Sequence, residues 1–150
     1  MLYTPALIKP KNEYFNNSCT EYKYNCVEEC SSNYIGESER LSHKRIFEHR
    51  TRSDSHVCQH ITVCTHYQNA LYQQFEIDPD NLPNKHKMAH YGRIFIHERF
   101  TILETNITNG FHRKIFEGLH ITLHQPDLNK QVKHEKMNLI CKCLVTESIT

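Results

Sequence analysis

"TEYKYNCVEECSSNYIG", residues 20 to 36, decides the fold. From Thr20 to Cys26 the residues alternate, with Tyr22, Tyr24 and Cys26 on one side, which is the two-residue period of a strand. "EECSS" has turn composition, and "NYIG" is a second short strand that Gly36 ends, so the segment reads as a hairpin. A helix is predicted immediately afterwards, from about Ser38 to Arg50 with Ser38 as its N-cap. Its apolar positions, Leu41, Ile46 and Phe47, make a narrow buried stripe. Arg45 and His49, four apart, share another face.

Outward from this core, "SDSHVCQHITVCTH" (53 to 66) is predicted as a second helix capped by Ser53 or Asp54, burying Val57, Ile61 and Cys64. "DPDNLPNKHK" (78 to 87) has loop composition, and the stretch to 91 reads as a surface insertion. A third strand is expected around Phe100 to Glu104. "NGFHRKIFEGLHITLHQP" (109 to 126) is a third helix that Pro126 stops, with Phe111, Ile115 and Leu119 as its buried line. Residues 1 to 18 form an irregular lead-in, 19 to 131 the domain, and 132 to 150 a polar tail broken by "NLICKCLV".

A chain of 150 residues suits one domain with a real core. The net charge of +1 excludes a simple polycation that clings to nucleic acid everywhere. Positive charge is instead local: Arg40, Lys44, Arg45, Arg50 and Arg52 fall within residues 40 to 52, against Glu48 alone. Such focused charge suits a grip on one or two phosphates, and equally suits a solvated helix face. No apolar run is long enough to span a membrane, and the N-terminus lacks a basic n-region. The expected location is nucleus or cytoplasm, not secreted. Seven cysteines, an odd count, then read as free thiols rather than a disulfide framework. Within "HVCQHITVCTH", His56 and His60 are four apart, and Cys26 and Cys30 would complete a four-ligand zinc site. That spacing matches no standard finger, so buried cysteines are the favoured reading and structural Zn²⁺ the alternative.

The order of motifs carries a resemblance. A tyrosine on the first strand, "C-x3-C", "YIGE", Arg45 with His49 one turn beyond, Glu117 and then "PDLN" resembles the GIY-YIG nuclease family, most of all the endonuclease domain of Penelope-like retroelements. The match covers roughly residues 19 to 131, and Thr20 and Glu21 stand where the family has glycine and isoleucine. The resemblance implies an α+β fold with a small three-stranded antiparallel sheet flanked by helices. It also implies a metal-dependent endonuclease, using Mg²⁺ or Mn²⁺, that nicks DNA, with RNA left open as substrate. One catalytic centre cuts one strand, so double-strand cleavage would take a transient homodimer.

By the same resemblance Tyr22, Tyr34, Arg45, His49, Glu117 and Asn129 are the catalytic set. The chemistry wants such residues. A phosphodiester needs charge neutralisation, an activated water and help for the leaving oxygen. Glu117 would hold the metal, since Mg²⁺ keeps most of its waters and needs few protein ligands. Arg45 would clamp phosphate oxygens through its fixed fork. Tyr22 or His49 would take the water's proton, Tyr34 would position water or phosphate, and Asn129 would hold the geometry. Two rival readings remain: an inactive descendant that binds nucleic acid through Arg40, Lys44, Arg50 and Arg52, and a small interaction domain stabilised by zinc on Cys26, Cys30, His56 and His60.

Overall fold

The alternation of Tyr22 and Tyr24 is realised in full. In the computed structural model, which describes residues 17–129, strand β1 (Thr20–Asn25) pairs antiparallel with β2 (Asn33–Ser38). Tyr22 lies opposite Gly36 and Tyr24 opposite Tyr34. Strand β3 (Phe100–Glu104) joins the other side of β1, giving the order β2-β1-β3 with all neighbours antiparallel. Helices α1 (Ser42–Thr51), α2 (His56–Val63), α3 (Thr65–Gln74), α4 (Lys85–Glu98) and α5 (Gly110–His124) complete an α+β fold around this open sheet. No helix among the described residues is long and apolar enough to cross a membrane. Most of the lead-in and all of the tail, "NLICKCLV" included, lie outside the described residues.

Successive strand residues face opposite sides, so β1 presents aromatic rings to one layer and Glu21 to the other. The aromatic side is the core: Tyr22, Tyr24, Tyr34 and Phe100 pack with Ile46 of α1 and Val57 and Ile61 of α2. Phe100 lies 5.7 Å from the Tyr22 ring and 5.4 Å from the Tyr24 ring, tilted contacts of the kind worth about 0.5–1.5 kcal/mol each beyond area burial. Helix α4 packs on α1, α3 and β3.

Several boundaries differ from the sequence reading. Ser38 is the last residue of β2, not a helix cap; the strand runs past Gly36, and α1 begins at Ser42. Within α1 Ile46 is buried, whereas Phe47 is exposed. The single helix expected over 53 to 66 is two: Ser55 rather than Ser53 or Asp54 caps α2, accepting from the Cys58 amide, and Cys64 ends α2 and caps α3. The insertion expected up to residue 91 is shorter, because Asn84 caps α4 through the Lys87 amide and helix begins at Lys85.

Helix α5 is turned inside out relative to its apolar pattern. Phe111 is exposed and Ile115 and Leu119 are only half-buried, while Arg113, Glu117 and Gly118 are buried. The cause is the polar underside of the sheet. Glu37 of β2 takes Arg113 Nε at 2.9 Å and Lys114 Nζ at 2.6 Å, and a buried carboxylate without such partners costs more than an exposed apolar ring.

Gly36 is where two tyrosines need room. A Cβ there would lie 2.7 Å from the Tyr22 hydroxyl oxygen and 2.8 Å from the Tyr34 ring. Gly36→Ala is therefore expected to cost about 1–3 kcal/mol through overpacking, read as a lower urea midpoint. An unchanged midpoint would mean that the rings can move aside.

Candidate active site and metal centre

Three of the sequence-derived residues are in direct contact. The Nε–H of Arg45, on α1, donates to the Tyr22 hydroxyl oxygen at 3.2 Å, and that hydroxyl lies 2.7 Å from Nε2 of His49, one turn further along α1. His49 Nδ1 lies 2.8 Å from the hydroxyl of Ser55, the cap of α2. The polarity follows from the donors. Arg45 can only donate, which leaves the Tyr22 hydroxyl hydrogen free to point at His49 Nε2; in that arrangement His49 carries its hydrogen on Nδ1, toward Ser55. Burial, followed by the nearby Arg45 charge, pushes the imidazole down to about 3, so the ring is neutral. Burial pushes the Tyr22 phenol far above its ordinary value, with Arg45 opposing. The row Arg45–Tyr22–His49–Ser55 thus links a cation to a neutral phenol, a neutral imidazole and a hydroxyl.

Tyr34 links this chain to α5. Its ring stands edge-on to His49, with centroids 5.2 Å apart. Burial and then the Glu117 charge raise its phenol, while Arg45 and Lys114 pull the other way, so both halves of the site act on this one hydroxyl. Glu117 is 3% exposed, and Lys114 Nζ bridges its Oε2 at 3.3 Å to Glu37 Oε1 at 2.6 Å. Asn129 stands on the outer edge of β2. Its Oδ1 accepts from the Ile35 amide at 2.8 Å and its Nδ2 donates to the Ile35 carbonyl at 2.6 Å.

The proposed basic strip is less uniform than the sequence implied. Arg40 is held by both oxygens of Glu48, Arg52 pairs with Asp54 at 2.7 Å, and the Arg50 guanidinium lies half-buried against Gly92 of α4. Lys44 is exposed. Sequence reading missed Glu48, whose Oε2 also receives Arg45 at 3.0 Å, Ser55, and Glu21, which is wholly buried. The i, i+3 spacing of Arg45 and Glu48 was the signal available for the first.

Cys26, Cys30, His60 and Cys64 form a second constellation, their ligand atoms all within 4.8 Å of one another, a group able to hold a metal ion. His60 Nε2 lies 3.4 Å from Cys26 Sγ and 3.5 Å from Cys30 Sγ, and the Cys26 and Cys64 sulfurs are 4.0 Å apart. Tetrahedral ligands at thiolate and imidazole bond lengths would be separated by about 3.6 and 3.8 Å. Burial lowers His60 from its ordinary value, which favours the neutral, ligating imidazole. The expected fourth member, His56, is replaced by Cys64: His56 opens α2, whereas Cys64 follows its last turn. The buried-cysteine reading holds alongside, since Cys26 and Cys64 belong to the core and the described cysteines are free thiols.

No family model, curated protein or solved structure matches this chain.

Two outcomes follow from this geometry. Folded His49 titrates near 3 and unfolded histidine near 6.5, so between these values the unfolded chain holds the extra proton. The stability this neutral ring contributes is complete above pH 6.5 and is lost as pH falls toward 3. Relative to His49→Gln, the wild type should lose up to about 1.4 kcal/mol per pH unit across that window, measured by urea unfolding. Parallel curves for the two proteins would mean that His49 is not held neutral. For the thiolate group, Co²⁺ titration should develop sulfur-to-cobalt charge-transfer absorption that saturates at one ion per chain and is missing in Cys30→Ser.

Proposed function

We propose that this chain is a metal-dependent endonuclease of the GIY-YIG type, of the kind carried by Penelope-like retroelements, which nicks DNA. The observation that carries the reading is the hydrogen-bonded row Arg45–Tyr22–His49, with Tyr34 set between it and Glu117. These residues lie on four separate elements and in the order of the family's motifs.

A catalytic divalent cation fits the donor set. Glu117 offers a carboxylate, and its partner Lys114 has a side chain 44% exposed, an arm able to swing away from the carboxylate it bridges. Mg²⁺ on Glu117 would neutralise the phosphate oxygens and ease departure of the leaving oxygen. Arg45 directs its guanidinium at the same charge. Tyr22 and neutral His49 form the hydrogen-bonded relay for the water's proton, and Arg45 lowers the cost of ionising Tyr22 against the effect of burial. Tyr22 is 1% and His49 2% exposed, so both act from behind Arg45, whose side chain is 27% exposed. Asn129, by gripping Ile35, holds the strand that presents Tyr34.

Zn²⁺ is the proposed occupant of the Cys26–Cys30–His60–Cys64 group, in a closed structural site. It would tie the hairpin to α2, and thereby Ser55 to His49. The paired state of Arg40 and Arg52 speaks against a binding-only descendant that grips nucleic acid through a free cation strip.

Supercoiled plasmid with Mg²⁺ or Mn²⁺ is expected to be nicked by wild type and not by Glu117→Ala. Arg45→Ala should lose about 10²–10³-fold in rate, the scale of one transition-state donor. A folded, zinc-loaded wild type that leaves the plasmid supercoiled would overturn the enzymatic reading.

A further inference from the structure

Opposite the tyrosines, three glutamates stand in one row. Glu37, Glu21 and Glu104 are partners in register across β2, β1 and β3. Like charges directly opposite one another are destabilising unless something of the other sign lies among them. Glu37 has Arg113 and Lys114. Glu21 has no such cation. It is 0% exposed, and neither of its oxygens accepts a hydrogen bond among the described residues.

What faces Glu21 is an imidazole. His120, on α5, places Nε2 3.2 Å from Glu21 Oε2 without hydrogen-bond alignment, and its Nδ1 is also unpartnered. The ring is steadied by His124, stacked 5.8 Å away at 12°. A nitrogen and an oxygen that share one cation at about 2.1 Å each, subtending about 100°, lie about 3.2 Å apart. The spacing of this pair is that of two ligands of one ion.

We propose that Glu21 and His120 hold a divalent cation between β1 and α5, with Glu104, exposed and next to Glu21 in register, turning in as a third ligand. The mixed oxygen and nitrogen donors suit a borderline ion of the Mn²⁺ or Zn²⁺ class better than Mg²⁺. The ion neutralises the glutamate row and pins α5 to the sheet one turn from Glu117. The site shares no ligand with the thiolate group, and its existence does not rest on the nuclease reading.

The test counts ions. Protein loaded with one equivalent of Zn²⁺, which the thiolates take first, is titrated with Mn²⁺ while free Mn²⁺ is followed by electron paramagnetic resonance. Glu21→Gln and His120→Gln are each expected to bind one Mn²⁺ fewer than wild type, and to lose part of the Mn²⁺-induced rise in melting temperature. In a Glu117→Gln background, adding Glu21→Gln should again lower the count by one Mn²⁺. Glu21→Gln keeps the size and shape of a buried side chain whose oxygens have no hydrogen-bond partner, so it is expected to fold about as stably as wild type without Mn²⁺. A count that Glu21→Gln or His120→Gln leaves unchanged, or that Glu21→Gln leaves unchanged in the Glu117→Gln background, overturns the proposal. Failure of the nuclease reading would appear in plasmid nicking, which does not enter this count.

Discussion

β1 carries two incompatible surfaces one residue apart, and the molecule is arranged around keeping them separate. Tyr22 and Tyr24 demand an apolar layer; Glu21, next to Tyr22, demands a polar one. Because β1 is the central strand, its neighbours must match on both sides. They do: Tyr34 and Phe100 extend the aromatic face, and Glu37 and Glu104 extend the acidic one. The helices then sort by chemistry. Those with buried apolar side chains, α1 and α2, cover the rings, and α5 lays Arg113, Lys114 and His120 over the carboxylates.

Arg45 is the pivot between the layers of charge. One nitrogen holds the Tyr22 hydroxyl and another holds Glu48, which in turn is shared with Arg40. A guanidinium fixed at two points holds the Tyr22 hydroxyl in place at the head of the Tyr22–His49–Ser55 chain. The interior carries little net charge there, and its groups lie in a low-dielectric setting where a proton's position matters most.

Much of this was legible in the residues, for physical reasons. The hairpin and β3 announce themselves by alternation, and the i, i+4 spacing of Arg45 and His49 correctly puts both on one face of a helix beside Tyr22. Helix α3 escaped because it buries only Tyr67 and Leu71, too thin a stripe for a periodic signal. Helix α4 hid behind Pro83 and its polar first turn. The inverted packing of α5 is the more instructive failure. A hydrophobic pattern predicts the inward face only when the opposing surface is apolar, and here strand carboxylates on the other side made Arg113 the better fit, with Glu117 held beside them through Lys114. The fourth thiolate-site ligand failed similarly. His56 and Cys64 both lie four residues from His60, and only the approach of the hairpin to the end of α2 decides between them.

The "PDLN" segment has a meaning beyond its tie to Ile35. Asp127 accepts from the Asn33 amide at 2.7 Å, the Leu128 amide donates to the Asn33 carbonyl at 3.1 Å, and Asn129 takes both backbone groups of Ile35. A three-stranded sheet would otherwise offer β2 as a template for strand addition, the usual route to edge-to-edge aggregation. The chain answers with its own short segment, using side-chain amide and carboxylate in place of a fourth strand. A neighbour arriving along that margin meets a backbone already spoken for, and the sheet ends there without a helix to cover it.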